Sequence, residues 1–347
     1  MRLNWRGYFA LGVIVVLVLG ALAFFNRSAL RSMYDSVTGQ DFAGEGSCCV
    51  TVTIDKGDTG DVIANKLQSV GSVKSATIFY RLVLAQSPIF YPGTYSVNKA
   101  ASSSFVLSQL LDDANRVVTK VTVKEGLRLQ QTLKLLAQHT GIALSEFEKA
   151  SKDLPGLGIP SDAPNADGYL YPATYDFDPN SSAEQILSRM VLRTYDELDN
   201  FGVPEAQRHR VLTFASIVQK EARHTADFYK VARVFQNRLD IGMKLQSDAT
   251  VSYGSGGTTV TTTDAERASD NGYNTYVHDG LPVGPIGGAG SLAIDAVLHP
   301  AAGSWLYFCA VNLRTGETVF STTAAEHAAA VAQWQAWMRA NPGWNGD

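Results

Sequence analysis

The chain has 347 residues, of which 45% are hydrophobic and 18% charged, and a formal net charge of −4. That balance excludes a disordered chain and leaves room for two or three domains with cores of their own. The acidic total argues against a nucleic-acid partner held by phosphate contacts, and three cysteines exclude a multi-bridge disulfide scaffold.

Tyr8–Phe25 carries no charged residue and follows a head, residues 1–7, that contains Arg2 and Arg6. At about 1.5 Å per residue its 18 residues approach the roughly 30 Å hydrocarbon core, so the segment reads as one spanning helix in contact with the lipid bilayer. A cleaved signal would have an apolar stretch of about 7–15 residues ending in a small-residue site, which Ala21–Ala23 offers only weakly. Arg2, Arg6 and the free amine put the N-terminus in the cytoplasm and the bulk of the chain outside, a bias that Arg27 and Arg31 weaken.

Residues 26–49 are polar and aperiodic, which suits a linker. The neighbours Cys48 and Cys49 could bond to each other only in a strained geometry, and Cys309 lies in the apolar run LYFCAV as a small hydrophobe. No redox chemistry is assigned to any of the three. Val50, Val52 and Ile54 alternate with Thr51 and Thr53 as in a half-buried strand, which Lys56-Gly57-Asp58 turns into a helix through Leu67. A second helix over Ser75–Ala85 and the extended run Tyr91–Val97 complete a small α+β module of strand, helix, helix, strand over residues 50–115.

From residue 116 to 347 the pattern is that of a larger α+β domain. Lys120–Val123 is a strand followed by a helix that begins at Leu129. The run Asp167-Gly168-Tyr169-Leu170-Tyr171-Pro172-Ala173-Thr174-Tyr175 is either a buried aromatic turn or a platform on which sugars stack, with Tyr171 as the candidate contact. Helices are predicted over Ser182–Tyr195, Arg210–Ala222, Asp227–Ile241 (closed by Gly242) and Ala324–Arg339, the last with Val331, Trp334 and Met338 on one face.

In the helix Arg210–Ala222 the apolar positions Val211, Phe214, Ala215, Val218 and Ala222 form a stripe, and Glu221 falls inside it. Its i±4 neighbours are Ile217 and Thr225 and its i±3 neighbours Val218 and His224, so no cation on the same helix neutralises it. A carboxyl group desolvated by Phe214 and Ile217 would have a raised pKa, as a general acid working near neutrality requires. Further on, Gln246, Asp248, Thr250 and Tyr253 form a compact polar set of the kind that binds hydroxyl and acetamido groups. Tyr273, Asn274 and Tyr276, with the Gly/Pro-rich run Gly280–Gly287, are either ordered loops that wall a cleft or a plain turn or linker. The six histidines show no short metal-ligand spacing, and no G-x-S-x-G occurs, so neither metal nor serine chemistry is expected, nor any cofactor.

Three ordered runs carry a resemblance. They are Ala215–Glu221; Val231–Leu239 with Leu245–Gly254; and Tyr273–Tyr276 with Gly280–Ile286. Together they resemble the YceG-like family of membrane-anchored endolytic murein transglycosylases. The likeness extends to the anchor, to a first module similar to a LysM peptidoglycan-binding domain, and to the Leu306–Phe308 strand. It implies peptidoglycan glycan strands as substrate, peptidoglycan synthases as partners, and a catalytic role for Glu221. The reaction it implies cleaves the β-1,4 bond between N-acetylmuramic acid and N-acetylglucosamine without water, leaving a 1,6-anhydro end. Gln219 and Ala173 depart from the family, which often has Glu and Asp there. A lysozyme-like hydrolase using Glu221 and Asp248, and a non-catalytic wall-binding scaffold, are the competing expectations.

Overall fold

The computed structural model describes residues 41–257 and 262–344, which divide into two compact units. The first takes the chain to Val118 together with Asp178–Asn180; the second is Thr119–Phe177 with Ser181–Asp347. No helix among the described residues is long and apolar enough to cross a membrane, and the Tyr8–Phe25 segment lies outside them.

In the first unit, β1 (Ser47–Ile54) pairs antiparallel with β2 (Gly93–Lys99), in a register that sets Val52 opposite Tyr95 and Ile54 opposite Gly93. Between them run α1 (Gly60–Ser69) and α2 (Ala76–Gln86). The alternation in β1 turns Val52 and Ile54 inward onto Ile63, Leu67, Phe79 and Val97, which are all buried. Lys66 ties the β1–α1 turn with 2.6 Å bonds to Asp55 and Asp58 and a 3.1 Å bond to the Thr53 carbonyl. A further helix, α3 (Ser103–Leu110), follows β2 and puts Val106, Leu107 and Leu110 into the same core, although the sequence pattern does not announce it. Cys48 and Cys49 are bonded to each other.

In the second unit, β3 (Thr119–Thr122) pairs antiparallel with β4 (Thr174–Phe177), and β5 (Tyr307–Asn312) with β6 (Glu317–Ser321). The helices are α4 (Leu129–Thr140), α5 (Leu144–Ala150), α6 (Ala183–Asn200), α7 (Glu205–Glu221), α8 (Thr225–Asp240), α9 (Asp248–Gly254), α10 (Asp264–Arg267), α11 (Ser291–Leu298) and α12 (Ala324–Ala340). The unit is therefore α+β, as expected, with helices carrying most of the core. Gly242, at φ +67°, follows the end of α8 as the sequence implies. On α12, Val331, Trp334 and Met338 are half-buried and flank the fully buried Ala330, which packs toward β5.

Helix α7 corrects the amphipathic expectation. Every residue from Val211 to Val218 is buried, including Leu212, Thr213 and Ser216. The helix lies inside the unit, with α11 and α8 against it, and its polar members are satisfied locally. Thr213 donates to the His209 carbonyl at 2.7 Å, and Ser216 donates to the Thr213 carbonyl and accepts from Ile286 N. A helix buried all round has a weak amphipathic signature, so the apolar stripe was only part of its contact surface.

Candidate active site

Helix α7 ends at Glu221, where the chain leaves its buried run and meets a cleft of about 380 Å³. Glu221, Gln246, Ser247, Asp248, Tyr276 and Tyr307 contribute to the walls of this cleft, as do Arg238 and His327. The residue keeps some exposed surface, but its carboxyl group is withdrawn from water. Desolvation pushes the Glu221 pKa up, and the nearby Asp248 charge adds to the rise; a hydrogen bond from Ser247 and the charge of Arg238 act in the opposite direction.

The bond from Ser247 Oγ to Glu221 Oε1 is 2.6 Å long, and a network immobilises its donor. Ser247 N donates to Thr275 Oγ1 at 3.0 Å, Thr250 Oγ1 donates to the Ser247 carbonyl at 2.7 Å, and the two threonine hydroxyls lie 2.8 Å apart. Gln246, just before, adopts φ +53°, a left-handed conformation uncommon outside glycine, and leaves its side chain exposed at the cleft. The start of α9 thus carries Asp248 in its first turn, and the segment read as a polar set is partly a helix.

A cation does approach the acid, from α8 and not from α7. Arg238 is 7% exposed and is committed to backbone carbonyls: Nε donates to Leu306 and Nη1 to Leu245, each at 2.6 Å. No ion pair among the described residues includes Glu221. The guanidinium also lies 5.3 Å from the Tyr307 ring centroid, and the His327 ring stacks on Tyr307 at 5.1 Å. Burial, with the Arg238 charge second, pushes the His327 pKa down, so the ring is neutral near pH 7.

Gln246, Asp248 and Tyr276 meet at this cleft with Glu221. Tyr276 donates to Asp248 Oδ1 at 3.1 Å; desolvation, then the Asp248 charge, push its hydroxyl up to about 12. Asp248 also accepts from Thr262 at 2.6 Å and lies 3.8 Å from Arg267. The other candidates lie elsewhere. Thr250 is fully buried behind Ser247. Asn274, also buried, donates to the carbonyls of Glu266, Arg267 and Ser269 and shapes its loop. Tyr171 is buried, its hydroxyl 2.6 Å from Ser291 Oγ, so the tyrosine run is an interior turn. Tyr253 and Tyr273 pack ring to ring at 4.6 Å, and Tyr253 lines a different concavity. Ser247, Arg238, Tyr307 and His327 were not among the site residues expected from the sequence. Among the described residues no group of three or more His, Cys, Asp or Glu is disposed to hold a metal ion.

Comparison with known proteins bears on this arrangement. The family model described as the YceG-like family matches residues 52–333. The chain belongs to the YceG-like family. An endolytic murein transglycosylase of Bacillus subtilis is 30% identical over 334 residues, covering 90% of this chain and 89% of the relative. One from Streptococcus pneumoniae is 26% identical, over 82% of this chain and 58% of the relative. The crystal structure of a YceG-like protein from Listeria monocytogenes superimposes with a TM-score of 0.54 at 30% identity, covering 81% of this chain and 98% of that one. Gln219, two residues before Glu221 on α7, accepts a hydrogen bond from Gly290 N at 3.1 Å and so anchors the loop before α11.

Proposed function

We propose that this chain is an endolytic murein transglycosylase in which Glu221 serves first as acid and then as base. The observation that carries the assignment is the Glu221 carboxyl, dehydrated at the end of a buried helix and held by one serine hydroxyl in an open cleft. A carboxyl group that burial makes hold its proton more tightly than a solvated one can give it to the glycosidic oxygen as the bond from that oxygen to C1 of the muramoyl sugar breaks. The carboxylate then accepts the proton of the muramoyl 6-hydroxyl as O6 closes on C1. No water is consumed, and the proton count balances through one side chain. The fixed Ser247 donor steadies the carboxylate between the two transfers, and Gln246 and the aromatic walls are placed to orient the sugar.

A hydrolase would need a second carboxylate free to act as nucleophile or base. Asp248 shares the cleft, but Tyr276, Thr262 and Arg267 already engage its carboxylate. The same reading takes residues 50–115 as a LysM-like wall-binding module, supported by the β-α-α-β order of β1, α1, α2 and β2. It takes Tyr8–Phe25 as an anchor that leaves the catalytic unit outside the membrane, beside the synthases that extend glycan strands. Mass spectrometry of products from purified glycan strands tests the assignment: anhydro ends support it, reducing ends indicate a muramidase, and intact strands a scaffold. Protease accessibility of a C-terminal tag in intact cells tests the topology.

A further inference from the structure

The second unit has another concavity, of about 560 Å³, whose walls include Arg128, Lys134, Lys220, Gln130 and Tyr253. Its carboxylate, Asp167, is 3% exposed and already engaged: it accepts from Gly168 N at 3.1 Å and also from Leu129 N and the Tyr253 hydroxyl. None of the three cations takes part in an ion pair among the described residues. Arg128 donates to the Gly257 carbonyl at 2.7 Å and lies 5.2 Å from the Tyr253 ring centroid. Lys220 is partly dehydrated, and burial, with the Arg128 charge second, pushes its pKa down. The Asp167 charge acts on Arg128 and Lys220, but one buried, hydrogen-bonded carboxyl among three positive groups leaves the recess net positive and complementary to an anion.

We propose that this recess binds the carboxylate-bearing peptide attached to the muramoyl sugar, so that the enzyme reads stem peptide as well as glycan. The proposal rests on the murein transglycosylase reading above. Lys220 and Glu221 are consecutive, so the recess and the acid's cleft flank the same helix end. Helix α9 runs from Asp248 in the cleft to Tyr253 in the recess, a span of about 7.5 Å at 1.5 Å per residue. Two to three extended peptide residues, at about 3.3 Å each, cover that distance. An adjoining hollow of about 480 Å³ shares Leu129, Gln130 and Asn165 with the recess and adds Glu148 and Lys152. It gives room for the rest of the peptide and a carboxylate to meet an amine on it.

The test compares full-length enzyme on strands bearing peptides with strands stripped of them by an amidase. Lys134 is exposed on α4, so Lys134→Glu reverses a charge in the recess without opening the core. The wild type should favour peptide-bearing strands in kcat/KM by roughly twofold to fivefold, the effect of one exposed charge contact. Lys134→Glu should bring the ratio toward one through KM, and Lys134→Arg should restore it. Calorimetry of N-acetylmuramoyl tripeptide on Glu221→Gln protein reads the recess without turnover. Binding that Lys134→Glu weakens, in an enzyme that turns over neither strand, keeps the recess and sinks only the proposed activity. A wild-type ratio of one, a ratio that Lys134→Glu leaves unchanged, or no tripeptide binding overturns the peptide site.

Discussion

Replacing Glu221 by Gln separates catalysis from stability in opposite directions. The amide keeps the shape of the side chain and an oxygen to accept from Ser247, but it can neither give nor take a proton. Loss of general acid and base work costs about 10²–10⁴-fold in rate. Stability should move the other way. Burial raises the folded-state pKa of Glu221 above its ordinary value of 4.5, so the folded protein holds this proton more tightly than the unfolded chain does. The wild type therefore has the full benefit of this group below pH 4.5 and loses it as pH rises through the folded pKa. The neutral amide has no such loss. At pH 7 the variant should be more stable by on the order of 1 kcal/mol, the usual scale when a functional group that costs stability is replaced, which raises Tm by about 2–4 °C for a unit of this size. Thermal melts at pH 4 and pH 7, with anhydro-end formation measured by mass spectrometry, check both halves. A variant that keeps a tenth of the activity, or one whose Tm falls at pH 7 relative to wild type, refutes the reasoning.

Ser247→Ala removes the bond that favours the ionised carboxylate, so the alkaline limb of the pH–rate profile should move to higher pH, with little change in the melt. Asp248→Asn removes a charge that raises the Glu221 pKa, so that limb should move to lower pH while the products remain anhydro ends; a muramidase would lose turnover altogether. Asn274→Ala leaves the carbonyls of Glu266, Arg267 and Ser269 without their donor and should cost about 1–3 kcal/mol in denaturant unfolding. Its kcat should fall as well, because Asn274 also accepts from Tyr276 N in the cleft wall.

Long periodic elements were legible because their residues repeat a signal. Helices α4, α6, α7 and α8 and the first two strands lie within a few residues of where the periodicity puts them. The missed elements, α3, α5, α9, α10, α11, β4 and β6, have four to eight residues each, too few for a period to emerge. At the site, Glu221 was conspicuous because a carboxylate in an apolar stripe is an anomaly. Ser247 was not, because a serine just ahead of a helix is what an N-cap looks like, and nothing local says that its hydroxyl reaches Glu221 instead. Thr250, Asn274 and Tyr171 have the chemistry of sugar contacts, yet their polar atoms meet partners inside the protein. Composition reveals what a side chain can bond to; only the fold decides which bonds are taken. Arg238 illustrates the same limit, since it lies on another helix and its proximity to the acid is a tertiary fact.

The burial of α7 from Val211 through Val218 has a consequence for how this protein can change. Packed on every side, the helix cannot turn about its axis without dislodging eight residues at once, so the bearing of its final residues is locked. Deleting or inserting one residue within that run would swing everything beyond it by about 100°. The ammonium of Lys220 and the carboxyl of Glu221 would then be dealt to the wrong openings, with every other wall intact. Lengthening and shortening are therefore barred here, and the run can accept change only as the exchange of one side chain for another.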